Sequence, residues 1–263
     1  MMKVSLGQFA VQRTWQDNAI TCIALMQRAA AAGADLLVLP EAVHARDNNN
    51  AEWGMDAAQP INGPFVSQLL EASQLIDISV IFTIHTPVHN EFVHNTLLVL
   101  RQGEVLAFYH KLHLYDAFSS QESKRVIPGE SIPAIIEIAG IKVGLMVCYD
   151  VRFPDLARQL AMNGAEVLVL PSAWVKGPQK EAHWELLTRT RALENTCYMV
   201  GVGECGEKNI GNSLVVDPLG VVIAQAAEAP DLIFADINFE RIQHVRHQLP
   251  VLRHNRFKAP VLR

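Results

Sequence analysis

Three side chains of this 263-residue sequence stand where reactive groups collect in α/β folds, just beyond the carboxyl ends of strand-like runs. Glu41 directly follows the apolar run LLVLP, Lys111 follows VLAFYH, and Cys148 ends KVGLMVC. A thiol, a carboxylate and an ammonium make a set suited to catalysis: one attacks, one carries a proton, one steadies negative charge. Singly, each has a plainer reading. A Cys closing an apolar strand is ordinarily a small buried hydrophobe. A Glu after a strand is often an acid at a helix start or a solvated loop residue, and a Lys in a His-rich loop belongs on the surface.

The elements that would hold these residues alternate between strand-like and helix-like. KVSLGQFA reads as a buried strand. Residues Asn18 to Ala32 carry apolar side chains at helical intervals and stop at Gly33. ADLLVLP is a continuous apolar run of strand length, as expected of a strand covered on both faces. Pro64 to Ile76 reads as an amphipathic helix, ISVIFTI as a strand, and NTLLVLRQGEVLAFYHK as two strands joined at Arg101–Glu104. The series then repeats. KVGLMVCYD restates KVSLGQFA, Pro154 to Met162 supplies a helix, and NGAEVLVLPS restates AGADLLVLPE. Lys180 to Asn195 supplies the next helix, CYMVGVG a strand, and NSLVVDPLGVVIA restates NTLLVLRQGEVLA. An internal β-α-β-α-β-β duplication of this kind predicts a four-layer α-β-β-α sandwich with two mixed sheets face to face. Residues 1–263 read as a single domain, in which 248–263, with Pro250 and Pro260 and no helical period, form an extended C-terminal arm.

The residues around the three candidates resemble the signatures of the nitrilase superfamily of carbon–nitrogen hydrolases. They stand as LLVLPEAV around Glu41, YHKLHLYD around Lys111 and GLMVCYDVRFPD around Cys148, and the resemblance covers essentially the whole chain. It implies a catalytic triad of Glu41, Lys111 and Cys148, with Glu122 of AFSSQESKRVIPGE matching a second carboxylate of the family. The residue types suit that chemistry. A free thiol with a pKa of about 8.5 is only slightly ionised at neutral pH, so Lys111 is expected to favour the thiolate and Glu41 to act as base. Glu41 would then protonate the departing amine and activate water against the thioester. The Lys111 ammonium and the backbone N–H of Tyr149 are the expected oxyanion donors, with Glu122 holding the pair. Asp150 and Arg152 are expected to pin the turn that presents the thiol.

Other features point away from competing chemistries. The net charge of −5 offers no basic face for nucleic acid or an anionic membrane. Gly201–Gly206 matches G-x-G-x-x-G, but the next residues are polar and then strand-like, whereas a dinucleotide site needs a helix there. The ten histidines show no zinc-type spacing, so neither metal nor cofactor is expected. Cys22 and Cys197 read as core. A papain-like Cys/His pair would leave Glu41 and Lys111 unexplained. Four cysteines without paired spacing, and no leader-like opening, suggest a reducing, cytoplasmic setting.

Within the superfamily, YHKLHLYDAFSSQES, the stretch from Ser172 to Pro218 and QLPVLRHNRF are most similar to the bacterial deaminated glutathione amidases. That branch implies cleavage of the amide joining 2-oxoglutarate to cysteinylglycine. An ω-amidase acting on 2-oxoglutaramate or another small aliphatic amide, and a non-catalytic binding protein on the same fold, are the alternatives. A carboxylate-bearing substrate calls for cations in the pocket. Lys176 is the first candidate, with Lys124 and Arg125 behind it, while Tyr149, Trp174 and His183 are the other expected substrate-binding residues. Asn212 and Ser213 recur at the place of Asn95 and Thr96, which suggests a scaffold role. The resemblance further implies a homodimer or higher homo-oligomer.

Overall fold

The computed structural model describes residues 1–262. In chain order the first half contains β1 (Met2–Gln8), α1 (Trp15–Ala31), β2 (Leu36–Val38), α2 (Trp53–Asp56), α3 (Pro64–Ser73), β3 (Ser79–His89), β4 (Phe92–Arg101) and β5 (Glu104–His110). The second half contains β6 (Ile136–Ile138), β7 (Ile141–Leu145), α4 (Pro154–Met162), β8 (Val167–Ser172), α5 (Lys180–Asn195), β9 (Tyr198–Gly203), β10 (Leu214–Val216), β11 (Val222–Gln225), β12 (Asp231–Ile237), α6 (Phe239–Gln248) and α7 (Val251–His254).

Local chemistry explains the boundaries. Thr14 caps α1 by accepting from the Asp17 N–H, and Gly33 closes it at φ 72°. Pro64 and Pro154 open α3 and α4, where a missing N–H costs nothing. Gln102 and Gly103 both take positive φ, the backbone that a two-residue hairpin between β4 and β5 demands.

The strands form two six-stranded sheets, ordered β12-β1-β2-β3-β4-β5 and β11-β10-β9-β8-β7-β6. The pairs β1–β2 and β2–β3 are parallel, then β3–β4 and β4–β5 antiparallel; β7 to β11 repeat this series. The duplication therefore extends to order and direction. Burial follows a two-residue period. Leu36, Val38, Ile81, Leu97 and Val99 share one cluster with residues of the second sheet, while Leu37, Val80, Phe82, Leu98 and Leu100 pack with α1 and α3. The two sheets thus face each other with helices outside, as the sandwich requires.

Two expectations need correction. The tail is not devoid of helix: after Pro250 the chain makes the turn Val251–His254, closed by the His254 N–H on the Pro250 carbonyl. Proline suits the position before a helix start, where its fixed φ costs nothing. Arg263, the last residue of the expected arm, lies outside the described residues. Regular pairing of KVGLMVC also stops at Leu145, and Cys148 opens a 3-10 turn, Cys148–Arg152.

Candidate active site

Glu41, Lys111 and Cys148 meet at one end of the sandwich, two of them from the first repeat and one from the second. Glu41 lies just past β2, where Ala42 turns the chain at φ 53° and is held by its N–H on Thr83 Oγ1 at 2.8 Å. Its Oε1 accepts from Lys111 Nζ at 3.0 Å and Asn95 Nδ2 at 2.8 Å; its Oε2 accepts from the Ala173 N–H at 2.8 Å. Lys111 follows β5 and is anchored through its own N–H on the Asn95 carbonyl. Its ammonium also reaches both oxygens of Glu122, at 3.1 and 2.9 Å. Glu122 begins a short 3-10 turn and accepts the Tyr115 N–H at 2.6 Å.

Cys148 sits at φ 42°, a conformation an L-residue holds only when its surroundings impose it. Asp150 does the imposing. Its Oδ2 accepts from the Val147 N–H and the Tyr109 hydroxyl, both at 2.9 Å, and its Oδ1 accepts from the His113 N–H at 3.1 Å and contacts His113 Nδ1 at 2.7 Å. Tyr109 and His113 flank Lys111, so one buried carboxylate ties the thiol's turn to the lysine's segment.

Electrostatics sets the resting protonation states. Burial alone would raise the Glu41 carboxyl, but the Lys111 charge and the surrounding hydrogen bonds outweigh it and hold the group down at about 2. Burial would likewise discharge Lys111, yet Glu122 and Glu41 keep it well above its ordinary value. The thiol goes the other way from the sequence expectation. Burial and the Glu41 charge push Cys148 well above 9, and Lys111 does not offset them, so the resting sulfur is protonated.

The four groups line an open cleft of about 1060 Å³. Tyr149, Trp174 and Lys176 line it too, as do Lys124 and Arg125. Arg125 is engaged by Glu52 and Asp56, and Lys176 is exposed with its ammonium on the Gly206 carbonyl. His183 is a correction: it is absent from the cleft wall. Lys180, the first residue of α5, lines the cleft, and one turn further, about 4.5 Å along the axis, the helix has passed the rim. His85 is the one histidine on the wall among the described residues, and burial holds it neutral down to about 3.

Sequence reasoning missed Asn95, the Ala173 N–H and Lys180, and Arg152, expected to pin the turn, lines the cleft with Nε and Nη2 unpartnered instead. Asn95 had the only readable signal, its counterpart Asn212, and that signal pointed to scaffold. The glycine-rich stretch runs from β9 into a loop and then into β10. A Cβ on Gly203 would lie 2.0 Å from the Gly211 carbonyl oxygen, so close backbone approach accounts for the glycine. Among the described residues no cluster of three or more His, Cys, Asp or Glu is arranged to hold a metal, and no helix is long and apolar enough to cross a membrane.

Comparison with known proteins agrees with this arrangement. The sequence model of the carbon-nitrogen hydrolase family matches residues 3–247. A deaminated glutathione amidase of Escherichia coli O157:H7 is 51% identical over 261 residues, covering 99% of this chain and 100% of that protein. A deaminated glutathione amidase of Mus musculus is 38% identical over 262 residues, covering 92% and 79%. The crystal structure of Saccharomyces cerevisiae Nit3, a member of branch 10 of the nitrilase superfamily, superposes with a TM-score of 0.85 at 27% identity, covering 97% of each chain. A match of this extent, on a chain with a buried cysteine in a shared cleft, places the protein in the carbon–nitrogen hydrolase family of the nitrilase superfamily, as a thiol-dependent amidase.

Proposed function

We propose that the protein hydrolyses the amide of deaminated glutathione, releasing 2-oxoglutarate and cysteinylglycine, with Cys148 as nucleophile, Glu41 as general base and acid, and Lys111 as electrostatic partner. The observation that carries this reading is the Glu41 carboxylate, fixed by three donors beside both the lysine and the thiol. A protonated thiol facing an ionised carboxylate cannot attack as a pre-formed thiolate. Its proton passes to Glu41 as sulfur bonds to the carbonyl carbon. The resulting oxyanion is met by the Lys111 ammonium and the Tyr149 N–H, donors worth about 3–4 kcal/mol each in well-measured cases. Collapse breaks the carbon–nitrogen bond, and the nitrogen leaves with the proton from Glu41. Water then gives a proton to Glu41 and attacks the thioester, and the returning thiolate recovers it. Glu122 acts through Lys111, keeping its charge and direction.

The relatives named deaminated glutathione amidases and the extent of identity to them support the choice of substrate. The test is mass spectrometry of the protein quenched during turnover, with deaminated glutathione and 2-oxoglutaramate compared. An acyl adduct on Cys148 and faster turnover of deaminated glutathione are expected. A clear preference for 2-oxoglutaramate would instead make the protein an ω-amidase, and the absence of any adduct with turnover intact in Cys148→Ser would overturn the mechanism.

The protein is a cytoplasmic homodimer in this reading and works as one domain over residues 1–263, because neither repeat alone holds the site. Support for pairing comes from Leu186 and Leu193, exposed seven residues apart on the outer face of α5, and from Phe257 and Val261, exposed on the tail. Four free cysteines suit a reducing compartment. Sedimentation of the full chain against one ending at residue 254 checks the arm; the shorter chain is expected to shift toward monomer.

A further inference from the structure

One buried carboxylate close to the cleft takes no part in its chemistry. Glu204 directly follows β9, is 2% exposed and is absent from the cleft wall among the described residues. It nonetheless grips the segment of the general base from two sides. Its main-chain N–H bonds the Ser172 carbonyl at 2.8 Å, and the next residue, Ala173, turns its own N–H onto Glu41 Oε2 at 2.8 Å. Its side-chain Oε2 lies 2.5 Å from Arg46 Nε, a charge contact rather than an aligned hydrogen bond, and Arg46 Nη2 donates to the Glu41 carbonyl at 3.3 Å. The Arg46 N–H is tied to the Gln12 carbonyl, and Glu204 Oε1 accepts the neighbouring Val11 N–H at 3.3 Å. The second repeat thus holds Glu41 at its carboxylate through main chain alone and at its carbonyl through a charged pair.

Only the ionised form of Glu204 fits these partners. Both of its oxygens face N–H donors, and a guanidinium has no acceptor to offer a carboxylic proton. Protonation at Oε2 therefore breaks the contact with Arg46, and protonation at Oε1 breaks the one with Val11. That change falls within ordinary pH, since burial raises the carboxyl to about 7 despite Arg46. The other groups facing the pair keep their charge states there. Glu41 stays ionised above about 2, Cys205 stays a neutral thiol up to about 11, and the Asn209 amide beside Glu204 does not titrate. On the side of Arg46, His44 and His85 are neutral above about 4 and about 3, and Asp47 is paired with Arg13.

We propose that Glu204 is a positioning residue for the amidase: ionised, it holds Arg46 against the Glu41 carbonyl and so aims the base, and protonated, it lets that hold go. This deepens the reading of Glu41 as the base and rests on it. The aim needs holding because Ala42, the very next residue, turns at φ 53°, a backbone that stays in place only when its surroundings fix it. Thr83 fixes one side of that turn and Arg46 the other. A base that exchanges protons with sulfur, nitrogen and water is sensitive to its placement, and an error of about 1 Å can cost about a hundredfold in rate. Turnover therefore rises over the same pH range in which this group lowers stability, because one ionisation both completes the clamp and charges a buried carboxyl.

The test is kcat measured from about pH 5 to about pH 9 for deaminated glutathione or 2-oxoglutaramate, whichever is cleaved faster. The unmutated protein, Glu204→Gln, Arg46→Met and the double variant are compared. The unmutated protein is expected to climb roughly tenfold through a single ionisation at about 7, with KM changing less than kcat because Glu204 lies off the wall. Glu204→Gln, neutral at every pH, should remain at the lower plateau with no step. Arg46→Met should lose the step as well, and the double variant should be no slower than the slower single one, as for two residues on one path. A flat profile in the unmutated protein, a step that persists in Glu204→Gln, or losses that multiply in the double variant overturns the proposal. Glu41→Gln keeps the two readings apart: full turnover there removes Glu41 as the base, whatever the profile of Glu204→Gln. Crystal structures at about pH 5.5 and about pH 8.5 read the clamp without turnover. Arg46 is expected off the Glu204 carboxylate at the lower pH and on it at the higher, and the same contact at both rejects the proposal even if the amidase reading stands.

Discussion

Glu41 is ionised and Cys148 is protonated at rest, and each causes the other's state in part: the carboxylate's charge raises the thiol, and the thiol's hydrogen bond helps lower the carboxyl. The base is thus present at any pH above about 2, and an acid limb of kcat/KM between pH 4 and 6 is not expected from Glu41. Because its folded value is depressed, Glu41 also contributes stability above the ordinary carboxylate range that is lost as pH falls toward 2. Alkylation of Cys148 by iodoacetamide should rise with pH and show no plateau below pH 9, measured as rate against pH; a plateau near 7 would mean a resting thiolate. Glu41→Gln, which can no longer take the proton, should lower kcat by roughly 10²–10⁴-fold with the circular dichroism spectrum retained. The three core residues were legible because each sits in a distinctive flanking run. Lys180, Arg152 and Asn95 were not, since a basic or amide side chain in a polar stretch looks the same whether it is solvated or turned into a cleft. Only the fold shows that Lys180 is covered by Phe118 and Tyr115.

At the scale of elements, the segment Tyr109–His113 and the turn Cys148–Arg152 are one mechanical unit through Asp150. Tyr109→Phe removes the hydroxyl that donates to Asp150 and accepts from the Leu112 N–H, leaving both short of a partner. A loss of about 1–3 kcal/mol is expected, read from the denaturation midpoint, together with a lower kcat because the thiol's turn loosens. Gly129 is a second joint. Its N–H bonds the Lys111 carbonyl, and a Cβ there would sit 2.1 Å from the His110 carbonyl oxygen. Gly129→Ala should therefore cost about 1–3 kcal/mol and shift the lysine with it. Elements with strong local patterns were readable: Pro154–Met162 and Lys180–Asn195 emerge with the bounds that proline, capping and apolar spacing suggest. β6 and β12 escaped notice because they are edge strands defined by their partners, β12 by pairing with the far end of the chain at β1. The turn Val251–His254 was hidden by its prolines.

For the whole molecule, the joints between the two sheets matter most. Gln8 of β1 accepts from the Ser213 N–H and hydroxyl at 2.9 and 2.8 Å, crossing from one repeat to the other. Glu204, at the end of β9, accepts the Val11 N–H and pairs with Arg46, whose Nη2 in turn donates to the Glu41 carbonyl. Burial raises the Glu204 carboxyl to about 7 despite Arg46. An acid raised in the folded state lowers stability as pH climbs from its unfolded value near 4.3 to its folded one. The wild type should therefore lose roughly 3 kcal/mol from this group between about pH 4.5 and 7.5, and Glu204→Gln should flatten that slope in denaturant titrations at stepped pH. The antiparallel seam between β12 and β1 has its own consequence. During synthesis, the sheet bearing Glu41 and Lys111 keeps a bare flank of amides and carbonyls until the last strand leaves the ribosome. The nascent protein is consequently most adhesive before β12 joins β1, and the same flank would stay bare in any copy truncated upstream of Asp231.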